Sequence, residues 1–235
     1  MAWPVPTLEV LYEDNHLLVV NKPAGLPTMG LAAGEMTALI AAKEYVRRKY
    51  DKPGNVYLGV VSRLDAPVTG VLLLARTSKA ASRLAAAFKQ RDVDKLYWAV
   101  TEKLPATPAA RLEHFLRKDE RHKKVHVADP AAPDAQQAVL SYRLRATEPP
   151  RAWLEVQLET GRKHQIRVQL AASIGPVVGD RKYGSQIPLR EGIALHARRL
   201  EFEHPIRKTP LVVEAPLPRS WRASGPLRFV AQAAG

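Results

Sequence analysis

Cysteine is absent from this sequence of 235 residues. Disulfide bonds, thiolate metal sites and a cysteine nucleophile are therefore excluded. The N-terminus also lacks a basic stretch followed by a long apolar core, and the apolar run at residues 17–20 is far too short to span a bilayer. We therefore expect a cytoplasmic protein without a membrane partner.

Acidic residues are scarce relative to basic ones. The chain has 23 Asp and Glu against 36 Lys and Arg, which gives a formal net charge of +13. This excess favours a polyanionic partner such as nucleic acid, although many basic proteins are merely soluble, and charge does not separate RNA from DNA. The length allows one large domain or two small ones.

The periodicity of apolar residues predicts both strands and helices. Strand patterns lie at residues 8–12, 16–21, 71–75, 95–100, 140–145, 153–158 and 195–202. Helical patterns lie at residues 37–50, about 77–90 and 162–171. Residues 103 to about 137 have poor periodicity, which predicts a mobile hairpin or a surface loop, and the Pro-rich tail is expected to wrap the core.

A tight polar corner interrupts the apolar residues 60–76. Pro67 disfavours a helical conformation of the preceding residue, and Gly70 permits backbone angles that other residues avoid. Arg63 and Asp65 precede the corner, and an extended segment would place both side chains on one face. This local pattern alone favours an Asp65 that caps a turn and pairs with Arg63.

Four other features of the sequence are candidate ligand sites. Residues 175–184 are punctuated by glycine but lack the Gly-Lys-Ser/Thr ending of a phosphate-binding loop, so no nucleotide site is predicted. His122 and His126 have the spacing of helical metal ligands, but no acidic or cysteine ligand accompanies them and no metal is predicted. Phosphate contact and simple solvation are equally compatible with the charged run at 117–124. For Asn21 and Lys22, turn structure is favoured over a phosphate contact.

The order of several motifs resembles that of the RluA-type pseudouridine synthases. Arg63-Leu64-Asp65, followed by Thr69-Gly70 and an apolar strand, is similar to the central motif of that family. The further matching blocks are DNHLLVVNKPAGL at 14–26, KLYWA at 95–99 and TGRKHQIRV at 160–168, and the resemblance continues through 175–184 and 195–197. It therefore covers nearly the whole chain.

The resemblance implies an α+β fold, with a mostly antiparallel twisted mixed sheet, flanking helices and loops, and an active cleft across its middle. It also implies one catalytic domain over residues 1–235, without an appended N-terminal RNA-binding domain, because the first family block starts by Leu8. A monomer is expected. The implied activity is isomerisation of uridine to pseudouridine in rRNA or tRNA, without a cofactor or a metal. The uracil must leave its stack to react, so base flipping is expected.

Catalytic roles follow from the resemblance residue by residue. Asp65 matches the catalytic aspartate and is interpreted as the nucleophile, with attack at the sugar or at the base left open. Tyr97 matches the tyrosine that stacks on the uracil and accepts a proton from the sugar; without the resemblance it would be an ordinary strand tyrosine. Arg167 matches the arginine that pairs with the aspartate, which would keep Asp65 ionised by lowering its pKa.

RNA contacts are expected around these residues. Arg63 resembles the residue that fills the gap left by the flipped base. The other predicted RNA-binding residues are Lys95, Arg162, Lys163, His164 and Gln165. Two positions depart from the family, with Ser62 where histidine and Ala66 where arginine is common, and these departures could alter which uridine is chosen.

Two other functions are alternatives to pseudouridine synthesis. The first is a non-catalytic RNA-binding or ribosome-assembly protein on the same scaffold, against which the intact trio Asp65, Tyr97 and Arg167 argues. The second is an Asp-dependent hydrolase on a basic surface, against which the lack of a general-base histidine near the motif argues.

Overall fold

The computed structural model describes residues 5–30 and 35–234. The chain divides into two compact units: unit 1 comprises Met1–Asp94 and Ala197–Pro216, and unit 2 comprises Lys95–His196 and Leu217–Gly235. This division does not test the prediction of one catalytic domain over residues 1–235, which stays a prediction.

The elements are numbered in chain order. The strands are β1 (Glu9–Glu13), β2 (Leu17–Lys22), β3 (Gly59–Val60), β4 (Thr69–Ala75), β5 (Val93–Thr101), β6 (Ala109–Asp119), β7 (Lys124–Ala128), β8 (Gln136–Glu148), β9 (Arg151–Leu158), β10 (Leu195–Glu203) and β11 (Pro210–Glu214). The helices are α1 (Ala38–Lys49), α2 (Ser78–Gln90), α3 (Gln165–Ser173), α4 (Arg219–Ala223) and α5 (Arg228–Ala234). The predicted α+β fold with a mostly antiparallel sheet is confirmed.

Unit 1 is built around two buried strands. β2 pairs antiparallel with β1 and with β4, and β10 pairs antiparallel with β11. Every residue of β4 is buried, as its uninterrupted apolar run predicts. Because side chains alternate along a strand, β2 and β4 supply one face to a cluster with α1 and the other face to a cluster with α2. The motif corner at residues 61–68 is therefore connected to a strand that is packed on both sides.

Both helices of unit 1 begin at a threonine. The Thr37 side chain accepts a hydrogen bond from the Ile40 N–H at the start of α1, and Thr77 does the same for Ala80 at the start of α2. The predicted helix boundaries are confirmed at these N-termini. α1 also ends as predicted, with basic residues in its last turn.

Unit 2 contains an antiparallel series of strands. β5 pairs with β9, β9 with β8, β8 with β6, and β6 with β7. The segment 103–137 is thus a long strand hairpin, so of the two predicted alternatives the hairpin is right and the loop is wrong. The exposed faces of β6 and β7 carry charged residues, which hides their apolar alternation, and β6 lies between β8 and β7 and pairs with both.

The start of α3 differs from expectation, and the tail contains helices that were not predicted. α3 begins at Gln165, because His164 adopts a left-handed conformation with φ 55° and residues 162–165 form a turn instead. The tail packs as predicted, but it does so through short helices that carry the fully buried Trp221. Within the described ranges, no helix is both long enough and apolar enough to cross a membrane.

Candidate active site

Asp65 lies in the corner between β3 and β4 of unit 1. Residues 61–65 are outside the strands; Arg63 is exposed, Leu64 is buried and Asp65 is half-buried. The Asp65 carbonyl accepts a hydrogen bond from the Val68 N–H at 3.0 Å, which closes the turn around Pro67. The corner predicted from Pro67 is therefore present and leaves the Asp65 side chain partly accessible.

The backbone conformation where the corner continues into β4 requires a glycine at position 70. This residue has φ +111°, and a Cβ atom placed on it would lie 2.2 Å from the carbonyl oxygen of Ala197 in β10. Only glycine fits both the conformation and the approach of the neighbouring backbone. The unusual backbone angles of Gly70 are predicted from the sequence, whereas its close approach to Ala197 is not.

A buried lysine lies close to this corner. Lys22, at the end of β2, has no exposed surface, and its Nζ donates to the carbonyl of Ala66 at 3.0 Å. Burial lowers the pKa of Lys22 to about 7, and the negative charge of Asp65 opposes this effect. The burial agrees with the structural interpretation favoured for Lys22 over a phosphate contact, but no pattern in the sequence indicates its proximity to the Asp65 charge.

Tyr97 lies in the middle of β5 in unit 2. It is half-buried and pairs across the sheet with Val156 of β9. On the opposite face of β5, Trp98 packs edge to face against Trp153, with ring centroids 5.1 Å apart. The two indole rings fix β5 from that face, and the Tyr97 ring leaves from the other, as the alternation predicts.

Arg167 is held by a carboxylate that the sequence analysis did not single out. In unit 2 its Nε and Nη2 donate to the two carboxylate oxygens of Asp180, at 2.6 and 2.8 Å. The side chains of Arg167 and Asp180 are 5% and 1% exposed. Such a buried two-point pair fixes the position and the plane of the guanidinium.

The ring of Tyr183 covers the same guanidinium. The Arg167 Cζ lies 5.0 Å from the ring centroid, a distance typical of cation–π contact. The Tyr183 hydroxyl accepts from the Val125 N–H at 3.1 Å and shares a hydrogen bond of 2.7 Å with His164 Nδ1. Tyr183 therefore connects Arg167 to β7 and to the turn before α3.

The loop that carries Asp180 is fixed at its far end by Glu102, which directly follows β5. The Glu102 carboxylate accepts from the backbone N–H groups of Gln186 and Ile187, at 3.0 and 2.8 Å, and from the Ser185 hydroxyl. The only sequence signal for this arrangement was the glycine-punctuated segment 175–184. It is interpreted here as a loop that positions an arginine.

The predicted RNA-binding residues differ in exposure. Arg63, Arg162 and Lys163 are exposed, whereas Lys95 and His164 are half-buried. Gln165 is 3% exposed, and its amide bonds the Thr160 hydroxyl and the Val139 carbonyl, which favours a structural role for it over an RNA contact. RNA contact by any of these residues stays a prediction.

The predicted catalytic residues belong to different units. Asp65 belongs to unit 1, and Tyr97 and Arg167 belong to unit 2. The geometry within each unit is that described above, and the pairing of Asp65 with Arg167 stays a prediction.

Comparison with known proteins identifies relatives over most of the chain. A family model described as RNA pseudouridylate synthase matches residues 16–172. The chain is similar to the ribosomal large subunit pseudouridine synthase D of Xanthomonas campestris, with 36% identity over 225 residues, or 90% of this chain. It is also similar to an uncharacterized RNA pseudouridine synthase of Zymomonas mobilis, with 34% identity over 230 residues that cover 94% of this chain and 99% of that protein.

Coverage of the relatives varies. The chain spans 66% of the length of the Xanthomonas protein and of a Xylella fastidiosa protein with the same name. Among solved structures, human RNA Pseudouridylate Synthase Domain Containing 4 is similar with a TM-score of 0.76 and 27% sequence identity, over 94% of this chain and 93% of that chain.

Proposed function

The chain belongs to the RNA pseudouridylate synthase family, as its sequence motifs predicted, and from this premise we propose that it isomerises uridine to pseudouridine in structured RNA. The observation that carries the proposal is the family match over residues 16–172. That span includes Asp65, Tyr97 and Arg167, the three residues expected to act on the uridine.

The reaction exchanges one glycosidic bond for another. The bond between ribose C1′ and uracil N1 breaks, the ring turns, a bond from C1′ to C5 forms, C5 loses its proton, and N1 takes up a proton, so that the product is an isomer of uridine. We assign Asp65 as the nucleophile, with attack at C1′ or at the uracil ring as the two alternatives. Its half-buried position on a braced corner supports this role, because a nucleophile must be both accessible and fixed.

We propose that Tyr97 acts on the uracil and that Arg167 acts on the nucleophile Asp65. Tyr97 would stack on the flipped uracil and accept a proton from the sugar, and its rigid strand supports such a platform. Arg167 would pair with Asp65, and the bidentate Asp180 supports this role because it holds the guanidinium in one orientation.

RNA binding would rest on the basic surface. The net charge of +13 and the exposed side chains of Arg63, Arg162 and Lys163 support contact with phosphates. Because such contacts release counterions, the affinity for RNA should fall steeply as salt rises. A flat response to salt would contradict this part of the proposal.

The names of the Xanthomonas and Xylella relatives make large-subunit rRNA the first substrate to test, with small-subunit rRNA and tRNA as the alternatives. Unmodified transcripts of each class are incubated with the protein, treated with carbodiimide and mapped by primer extension. The proposal predicts a stop at a defined uridine in one class, and no stop with Asp65→Asn. Binding without any stop would favour the RNA-binding or ribosome-assembly function instead. The monomeric state, the absence of cofactor and metal, and the cytoplasmic location stay predictions.

A further inference from the structure

Two side chains from one short segment hold the backbone on both sides of Asp65. Thr28 Oγ1 accepts a hydrogen bond from the Leu64 N–H at 3.1 Å and donates one to the Leu64 carbonyl at 2.9 Å. Lys22 Nζ donates to the Ala66 carbonyl at 3.0 Å. The residues directly before and after Asp65 are thus each bound by a side chain of the segment 22–28.

The two side chains that form this clamp are buried. Thr28 is 3% exposed and Lys22 is fully buried. The Thr28 bonds are therefore protected from competition with water, and loss of the Thr28 hydroxyl would leave the buried N–H and carbonyl of Leu64 without this partner. A threonine hydroxyl that binds both the N–H and the carbonyl of one residue replaces the pairing that a neighbouring strand would provide.

The segment 22–28 is itself anchored. The other two hydrogen bonds of the Lys22 ammonium go to the carbonyls of Pro23 and Leu26, both at 2.7 Å. At the start of α1, the N–H groups of Ala38 and Leu39 donate to the carbonyls of Pro27 and Thr28, at 2.8 and 3.1 Å. The clamp therefore connects the Asp65 corner to a helix N-terminus, and it uses all three donors of the lysine.

The clamp matters for chemistry because nucleophilic attack depends on fractions of an ångström. Leu64 is fixed by Thr28, the Asp65 carbonyl by the Val68 N–H, and Ala66 by Lys22. The backbone is thus held at each residue from 64 to 66.

We propose that Thr28 and Lys22 are positioning residues of the reaction, which hold the Asp65 backbone in the geometry that nucleophilic attack requires. This inference rests on the proposed function and adds to it a device outside the trio Asp65, Tyr97 and Arg167. Neither residue touches the substrate in this proposal. Their effect on the reaction passes through Leu64 and Ala66.

The kinetic test uses Thr28→Val, which keeps the shape of the side chain and removes the hydroxyl. We expect kcat to fall about tenfold with KM within about twofold, because the nucleophile is misplaced while RNA binding is intact. Thr28→Ser retains the hydroxyl and should restore kcat. If Thr28→Val does not fold, Thr28→Ala is the second variant, because its smaller side chain admits water to the Leu64 backbone groups. We expect the kcat of Thr28→Ala to fall as well.

Thr77→Val is the matched control for stability. It removes a threonine hydroxyl of unit 1 that caps α2 and does not contact the segment 22–28. It should lower the melting temperature and leave kcat unchanged. If Thr28→Val lowered only the melting temperature, as this control should, Thr28 would be merely structural. If it raised KM and kept kcat, Thr28 would act on RNA binding. Either result would overturn the proposal.

Hydrogen exchange at the Leu64 amide tests the clamp without any activity. The amide should exchange about tenfold faster in Thr28→Val than in the wild-type protein or in Thr28→Ser, because the hydroxyl that accepts its hydrogen bond is gone. Equal exchange rates in the three proteins would refute the clamp even in an active enzyme. If the Leu64 amide exchanged faster in Thr28→Val, as expected, but the wild-type protein released no C5 hydrogen from any RNA, the clamp would stand and the proposed function would be refuted.

Discussion

Replacing Asp180 by asparagine should destabilise the protein by about 3 kcal/mol. Asp180 and Arg167 are 1% and 5% exposed, and the carboxylate accepts two charge-assisted hydrogen bonds from the guanidinium. Removal of one partner from a buried ion pair costs about 3–5 kcal/mol, because the remaining charge stays away from water. Asparagine retains one acceptor oxygen, so we expect the lower end of this range.

Urea unfolding at pH 7, followed by tryptophan fluorescence, measures this loss. Three of the four tryptophans, Trp98, Trp153 and Trp221, belong to unit 2, as do Arg167 and Asp180, so the signal reports mainly on the affected unit.

The matched control is Glu113→Gln, in the same unit. It removes the carboxylate of a pair with Arg111, whose side chains are 42% and 51% exposed, and exposed pairs of this kind contribute little to stability. If Asp180→Asn were no more destabilising than Glu113→Gln, the buried pair would not hold Arg167 in the manner described.

Three further substitutions test other parts of the structure. Because burial lowers the Lys22 pKa to about 7 from 10.5, the folded protein releases this proton at lower pH than the unfolded chain. The stability of the wild-type protein relative to Lys22→Met should therefore rise by up to about 1.4 kcal/mol per pH unit between these two pKa values. A stability difference that does not change with pH would contradict the burial. Gly70→Ala should cost more than about 3 kcal/mol, because its Cβ would lie 2.2 Å from the Ala197 carbonyl, whereas Gly25→Ala, also at positive φ but with nothing within 4 Å, should cost only about 1 kcal/mol. Burial raises the Asp14 pKa, but hydrogen bonds to the carboxylate outweigh this effect and lower the pKa to about 2 from 3.8. Asp14→Ala should therefore lose about 2 kcal/mol of stability at pH 7, and the difference from wild type should shrink as pH falls through about 2. Equal losses at pH 7 and pH 2 would show that the carboxylate charge does not provide this stability.

The sequence predicted those parts of the fold in which local pattern and tertiary structure agree. The uninterrupted apolar run of β4 indicated a strand buried on both faces, and Thr77 or Ser78 was the expected cap of α2, of which the structure has Thr77. The alternation along β5 placed Tyr97 and Trp98 on opposite faces, as the Trp98–Trp153 packing bears out. In each case the signal lies within a few consecutive residues.

The features that sequence analysis missed depend on contacts between distant residues. The Arg167–Asp180 pair joins a helix to a loop, and no periodicity relates the two. A lysine beside a proline indicates a turn, but burial of Lys22 depends on how residues 22–28 fold against the Asp65 corner. The hairpin that contains β6 was predicted only as one of two alternatives, because the charged exposed face of β6 hides the alternation and its pairing with β8 is non-local.

The most direct test of the central claim uses RNA with tritium at C5 of uridine. Formation of pseudouridine turns C5 into the glycosidic carbon, so its hydrogen must be released to water. The account predicts release by the wild-type protein from one of the pools of large-subunit rRNA, small-subunit rRNA or tRNA, and none by Asp65→Asn, which should still bind the same RNA. Release by Asp65→Asn at the wild-type rate would contradict the assignment of Asp65 as the nucleophile. Absence of release from every pool, with RNA still bound by the wild-type protein, would contradict the proposed isomerisation.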